Sequence, residues 1–167
     1  GSGSQTIPAR TYNNLVVSQN RNNGNITLPA SGTVAITGSF TNTATNVNFI
    51  TTNSTFDYAG TGSQVIAPFG YNNLTNTGNG ARTLSSTGTI RIAGTWSRGT
   101  GTYTLGTSTV EFNGTGAQTI RNGNYYNLTV SNTRGSNNIT WTPGTYTILN
   151  DLAANATFTS GNHIMTG

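Results

Sequence analysis

Apolar and polar residues alternate over short stretches of this chain. Val34 and Ile36 are separated by Ala35, and residues 90–92 repeat the arrangement. A period of two sends alternate side chains to opposite faces of a β-strand, so one face of each stretch is expected to be buried. Clusters of Gly, Asn, Ser and Pro, which favour turns, separate the stretches, and none has the 3.6-residue period of a helix. The pattern predicts an all-β chain of short strands.

The strand pattern occurs three times along the chain. The motif Gly-x-Gly-x-Gln-x-Ile stands at 1–7, 60–66 and 114–120. Each copy is followed by an aromatic-Asn-Leu element and then by an alternating strand. Internal repetition of this kind is typical of solenoids and related arrays. The matched structural positions are Gln5, Gln64 and Gln118; Leu15, Leu74 and Leu128; and Ile36, Ile92 and Ile148.

Copies spaced 59 and 54 residues apart suit a β-solenoid, or parallel β-helix, better than other all-β repeat folds. Such a repeat is short for a β-sandwich and long for a propeller blade, and three blades would not close a ring. We predict one solenoid domain over 1–167, built from tandem repeats 1–59, 60–113 and 114–167. Each repeat would form two coils of about 27 residues or three of about 18. Strands stacked about 4.8 Å apart would then give a rod about 30–45 Å long.

The composition indicates an ordered chain with few charged groups. Thr, Asn and Gly number 34, 24 and 22, and charged residues make up only 6% of the chain. The net charge of +4 comes from seven Arg that are scattered along the sequence, so we expect no nucleic-acid partner. The chain has no cysteine, which excludes disulfides. It also has no apolar run of 18 residues, so we expect no membrane span.

Residues 109–130 carry the phrase Thr-Val-Glu-Phe-Asn-Gly-Thr-Gly-Ala-Gln-Thr-Ile, followed by Tyr-Asn-Leu-Thr-Val. This phrase resembles the repetitive β-helix segments of very large, adhesin-like surface proteins of Bacteroidetes-type bacteria. The resemblance covers essentially all of the chain. It implies a β-helix exported to the cell surface, and therefore an extracellular location. It carries no ligand-binding residues with it.

The residues able to carry acid–base or metal chemistry are few. The acids are Asp57, Glu111 and Asp151, and the single histidine is His163. Asp57 and Glu111 occupy matched positions one repeat apart, which is farther than paired glycosidase carboxylates lie, and we expect both to be solvated. Calcium-binding repeats need several acids in each turn. We therefore predict that the chain is not an enzyme, with no catalytic residue, no cofactor and no metal ligand.

The motif glutamines and the aromatic residues that follow them are the remaining candidates for a role. Each glutamine stands two residues before an isoleucine, so we expect its side chain to point inward and to hydrogen-bond the backbone of a corner. The tyrosines Tyr12, Tyr71 and Tyr125 are expected at corners with partly exposed rings. They are therefore candidate ligand-facing aromatics, with sugars as the ligand.

The sequence leaves three candidate functions. The favoured one is a structural stalk, spacer or filament-forming segment of an extracellular adhesin-like surface protein. Its partners would be neighbouring repeats or identical subunits stacked end to end, with surface polysaccharide as a further candidate. The alternative is a glycan-binding module. Ice binding is disfavoured because Ala35 and Arg91 interrupt the row of threonines that it would need.

Overall fold

The computed structural model describes residues 3–158, with side-chain positions through residue 156. Those residues form short strands connected by turns, and the described chain contains no helix. The strands are β1 (Gln5–Thr6), β2 (Thr11–Tyr12), β3 (Leu15–Val17), β4 (Asn20–Thr27), β5 (Thr33–Ile36), β6 (Phe40–Asn42), β7 (Thr45–Ile50), β8 (Thr55–Tyr58), β9 (Gln64–Ile66), β10 (Gly70–Tyr71), β11 (Asn73–Thr75), β12 (Arg82–Leu84), β13 (Thr89–Ile92), β14 (Trp96–Ser97), β15 (Tyr103–Thr104), β16 (Thr109–Phe112), β17 (Gln118–Ile120), β18 (Gly123–Val130), β19 (Thr133–Gly135), β20 (Ile139–Trp141), β21 (Tyr146–Ala154) and β22 (Thr157–Phe158).

The strands stack in parallel into a β-solenoid of about seven turns, which confirms the predicted fold class. On one face Gln5 pairs with Ile26, and Ile26 pairs with Phe49, so the first repeat contributes β1, β4 and β7 to a single stack. The second repeat contributes β9, β12 and β15 in the same way. Each of these repeats therefore makes three coils, the shorter of the two coil lengths considered.

Hydrogen-bonded ladders cross both boundaries between the predicted repeats. At the first boundary β8 pairs with β11, with Phe56 opposite Leu74. At the second, β16 pairs with β18, with Val110 opposite Leu128. These pairs belong to two five-stranded sheets, β14-β11-β8-β5-β2 and β10-β13-β16-β18-β21. The sheets continue from one repeat into the next, so the repeats share one structure.

The inward side chains form one apolar core along the coils. Alternate residues are buried in the four-residue strands β5, β13 and β16. The predicted isoleucine and leucine positions lie in this core or at its ends. The fully buried ones are Ile36, Ile92, Leu74 and Leu128, while Leu15 in the first coils and Ile148 in the last described coils are half-buried.

Aromatic rings fill the core at the first boundary. The ring of Phe56 lies 4.8 Å from that of Phe40, 5.4 Å from Tyr71 and 5.5 Å from Tyr58, measured between centroids. Phe69 lies 5.2 Å from Phe40, edge-on. Tilted and edge-to-face contacts at these separations are favourable beyond the burial of area. The closing strand of the first repeat is thus packed against the opening strands of the second.

Candidate functional site

The feature that recurs with the sequence motif is the repeat junction. We use this name for the contact between the closing strand of one repeat, β8 or β16, and the first coil of the next repeat, which carries Gly-x-Gly-x-Gln. The described chain contains two such junctions. Each is built from a close backbone approach, a buried glutamine and a buried arginine.

The first glycine of the motif lets neighbouring coils approach closely. A Cβ added at Gly60 would collide with the carbonyl oxygen of Thr37, and one at Gly114 would collide with that of Ala93. A Cβ at Gly62, the second glycine of the second motif, would meet nothing within 4 Å. The two glycines therefore have different roles, and only the first is required by packing against the coil before it.

The glutamine of the second motif binds the preceding repeat through its amide. Gln64 Nε2 donates to the carbonyl oxygens of Ile36, at 2.9 Å, and Gly38, at 2.7 Å. Its Oε1 accepts from the backbone N–H of Gly60 at 2.9 Å. The side chain is 5% exposed, so these bonds satisfy a buried amide. A carboxylate could not replace it, because both contacts at Nε2 need a donor.

The third motif repeats this arrangement. Gln118 Nε2 donates to the carbonyl oxygens of Ile92 and Gly94, both at 2.8 Å, and Oε1 accepts from the N–H of Gly114 at 3.0 Å. Gln5, the first motif glutamine, has an exposed side chain. Gln5 is exposed because no described coil precedes it, whereas the preceding repeat covers Gln64 and Gln118.

A fully buried arginine lies beside each inner glutamine. The guanidinium of Arg82 donates to six backbone carbonyl oxygens, and its side chain contacts no acid within bonding distance among the described residues. One of these carbonyls, that of Tyr58 at 2.7 Å, belongs to the preceding repeat, and another, that of Gly60 at 2.9 Å, belongs to the first residue of the second repeat. Burial lowers the pKa of Arg82 from its ordinary value. The other acceptors are Gly62, Gly78, Gly80 and Ala81.

Arg134 has the same role at the second junction. It donates to the carbonyl oxygens of Phe112, at 2.7 Å, and Gly116, at 3.0 Å, and to Gln118 Oε1 at 2.6 Å. At the start of the chain Arg21 donates to Gln5 Oε1, also at 2.6 Å. In the sequence these arginines are visible only as charges scattered along the chain. Their spacing from the motif glutamines, 16 or 18 residues, was the signal that could have identified them.

The three candidate tyrosines share one hydrogen bond but differ in burial. Each hydroxyl donates to the carbonyl oxygen four residues earlier, at 2.7 to 3.0 Å. Tyr12 is half-buried, whereas Tyr71 is 2% and Tyr125 0% exposed. The expectation of partly exposed rings is corrected at these two, because each packs in the core in register with an inward isoleucine of the next coil. Burial raises the pKa of Tyr125 to about 12. These two rings present no free face to a sugar.

The acids are also placed differently from the expectation of solvated carboxylates. Asp57 is 6% exposed and accepts from the N–H of Thr77 at 2.9 Å and from its hydroxyl at 2.5 Å. Glu111 accepts from Ser131 Oγ at 2.6 Å and forms an ion pair with Arg91 at 2.9 Å. Each carboxylate therefore binds a residue just beyond the strand that pairs with its closing strand, β11 for Asp57 and β18 for Glu111.

A surface groove beside Trp96 is one candidate ligand site in the described chain. It has a volume of about 370 Å³ and lies beside Trp96, where β14 ends its sheet. Trp96 is only 5% exposed, and Arg98 lies over its ring at 4.2 Å. The ring face is thus covered by a cation from the chain itself. The groove is lined by Thr95, Trp96, Ser97, Ala117, Gln118, Thr119 and Arg121.

Residues 3–158 hold no cluster of three or more His, Cys, Asp or Glu side chains arranged to bind a metal ion. Asp151 is exposed, and His163 lies outside the described residues. Among the same residues there is no helical segment with the length and apolar content needed to cross a membrane.

Comparison with protein-family models finds no match, and comparisons with curated proteins and with solved structures likewise find none. The geometry of the repeat junctions is therefore the main basis for a functional proposal.

Proposed function

We propose that this chain is a stalk or spacer segment of an extracellular, adhesin-like surface protein. The observation that carries the proposal is the continuity of the β-ladders through both repeat junctions. A stack in which each repeat contacts only its neighbours gains length by adding repeats and needs no new core design. The resemblance of residues 109–130 to repeats of bacterial surface proteins supports the cell-surface location.

The junction chemistry supports a mechanical role. At each junction a glutamine and an arginine bond the backbone of the preceding repeat, so adjacent repeats are joined by side chains as well as by strand pairing. Pulling two repeats apart would have to break these bonds together with the strand pairing, so the side chains add to the resistance of the junction. The glycan-binding alternative is not favoured, because Tyr71, Tyr125 and Trp96 are buried.

The stalk proposal is tested by varying the repeat number. Extra copies of 60–113 are inserted between residues 113 and 114, and rod length is measured by electron microscopy or small-angle X-ray scattering. Three coils at about 4.8 Å should add about 14 Å for each inserted copy. A maximum dimension that does not increase with repeat number would refute the stalk.

The location is tested separately. Antibodies against the folded chain are applied to intact cells that produce the protein and to the same cells after lysis. Labelling of intact cells is expected. Labelling only after lysis would overturn the surface assignment and would leave the rod measurement unaffected.

A further inference from the structure

The N-terminal end of the solenoid has the form of half a repeat junction. In the described chain β3 pairs only with β6, whereas β11 pairs on both sides, with β8 and with β14. A groove of about 480 Å³ opens at this end. Its lining includes the matched junction residues of the first repeat, Gln5, Tyr12, Leu15 and Arg21.

The matched positions are consistently less covered in the first repeat. Leu15 is half-buried, while its counterpart Leu74 is 0% exposed. Gln5 is exposed, while Gln64 is 5% exposed. Val16, which follows Leu15, is 62% exposed. At each inner junction these positions are covered by the last coil of the preceding repeat, and no described coil covers them in the first repeat.

The inner junctions show which side chains occupy the equivalent space. At the first junction the closing strand β8 supplies Phe56, opposite Leu74, and Tyr58, whose hydroxyl lies 2.8 Å from that of Tyr71. The backbone also contributes, because the N–H of Asn73 donates to the carbonyl oxygen of the residue before β8 at 3.0 Å. The occupant is thus a parallel strand with two inward apolar residues.

The inner junctions also specify an acid between those inward residues. Asp57 binds Thr77, and Glu111 binds Ser131. Thr77 and Ser131 each stand three residues after the junction leucine, and Ser18 stands three residues after Leu15. The first repeat therefore carries a hydroxyl at the position that receives the carboxylate.

We propose that this N-terminal end is a docking socket for the closing coil of another repeat of the same kind, recognised as a strand with an acid between two inward apolar residues. Gln5, Tyr12, Leu15 and Ser18 form the recognition surface. The inference rests on the proposed stalk function. It adds the end at which a further repeat stacks and the sequence pattern of the strand that stacks there.

The socket is tested by supplying its occupant in the same polypeptide. Residues 60–113 are placed directly before Gly1 of the full chain, so that the closing strand Thr109–Phe112 precedes the first motif as it precedes the third. The control chain carries an unstructured Gly/Ser extension of the same length. Amide hydrogen exchange is followed by NMR at Asn14 and Leu15.

Protection of the Asn14 amide is the primary result. Asn14 matches Asn73, so its N–H should gain an acceptor in the added repeat and exchange about tenfold more slowly than in the control chain. The Leu15 amide already donates to Ser39 at 2.9 Å and should change little. Equal Asn14 exchange in the two chains would overturn the proposal. The rod-lengthening result would be unaffected, so the two failures are distinguishable.

Recognition of the acid is tested with Ser18→Ala in both chains. The thermal midpoint should fall by a few degrees more in the chain carrying the added repeat than in the control chain, because only there does a carboxylate face the hydroxyl. The same change in both chains would refute recognition of the acid by Ser18.

Discussion

Replacing Arg82 by methionine tests the junction most severely. The substitution keeps most of the side-chain volume but removes the N–H groups that donate hydrogen bonds to six backbone carbonyl oxygens. Each buried acceptor left without a donor costs about 1–3 kcal/mol, although neighbouring groups and water will satisfy some of them. The groups left behind are neutral carbonyls, so the cost comes from the acceptors that stay unpaired; with about two or three of the six unpaired, we expect Arg82→Met to cost about 3–5 kcal/mol.

The matched control is Arg91→Met in the neighbouring strand β13. Arg91 is also in the second repeat, but its side chain is 51% exposed and forms one ion pair, with Glu111. Exposed pairs contribute about 0–1 kcal/mol. Arg82→Lys is a second control, because it retains the charge but has three donors in place of the guanidinium fork, and it should fall between the two.

Urea unfolding followed by tryptophan fluorescence and circular dichroism provides the assay. Urea is chosen over guanidinium because guanidinium could itself bind the six carbonyl oxygens that surround Arg82. With a slope near 2 kcal/mol/M, a loss of about 4 kcal/mol lowers the midpoint by about 2 M. Equal midpoints for Arg82→Met and Arg91→Met would refute the reasoning that the buried guanidinium holds the junction.

Three further predictions follow from the same geometry. Gly114→Ala should lower the free energy of unfolding by about 2 kcal/mol or more, because its Cβ meets the Ala93 carbonyl. Gly116→Ala should stay within about 1 kcal/mol of the parent, and urea midpoints that rank the two variants otherwise would contradict this packing argument. Gln64→Leu should cost about 2–4 kcal/mol and Gln5→Leu less than about 1, again by urea unfolding, and equal losses would contradict a junction role. Burial raises the pKa of Tyr58 and Tyr125 to about 12, so stability should be constant up to the unfolded tyrosine pKa near 10 and then fall as pH rises to 12, by about 2–3 kcal/mol for each; a midpoint unchanged at pH 12 would disprove this.

The fold class could be predicted because the period-two pattern and the repeated motif are local properties of the sequence. Alternating apolar residues such as Val34 and Ile36 indicate a strand with one buried face. Copies of the same strands at regular spacing indicate that the strands stack on one another. The glutamine two residues before an inward isoleucine indicated an inward amide, and Gln64 and Gln118 are buried.

The arginine network could not be predicted from composition, because an arginine with no nearby acid is normally a surface residue. Only the stacking of glycine-rich corners brings enough carbonyl oxygens around Arg82 to replace water. The burial of Asp57 has a similar cause, since its partner Thr77 is twenty residues away and adjacent only in the folded coil. The burial of Tyr71 differs from the prediction because its hydroxyl finds an acceptor four residues earlier, which allows the ring to be buried.

The continuity of the solenoid across its repeat junctions is tested most directly by inter-strand nuclear Overhauser effects. We predict backbone contacts between Phe56 and Leu74 and between Val110 and Leu128 that are as strong as the contact between Val34 and Phe56 within the first repeat. If the contact within the repeat were observed and both contacts across the boundaries were missing, the repeats would be separate units and the account would be contradicted.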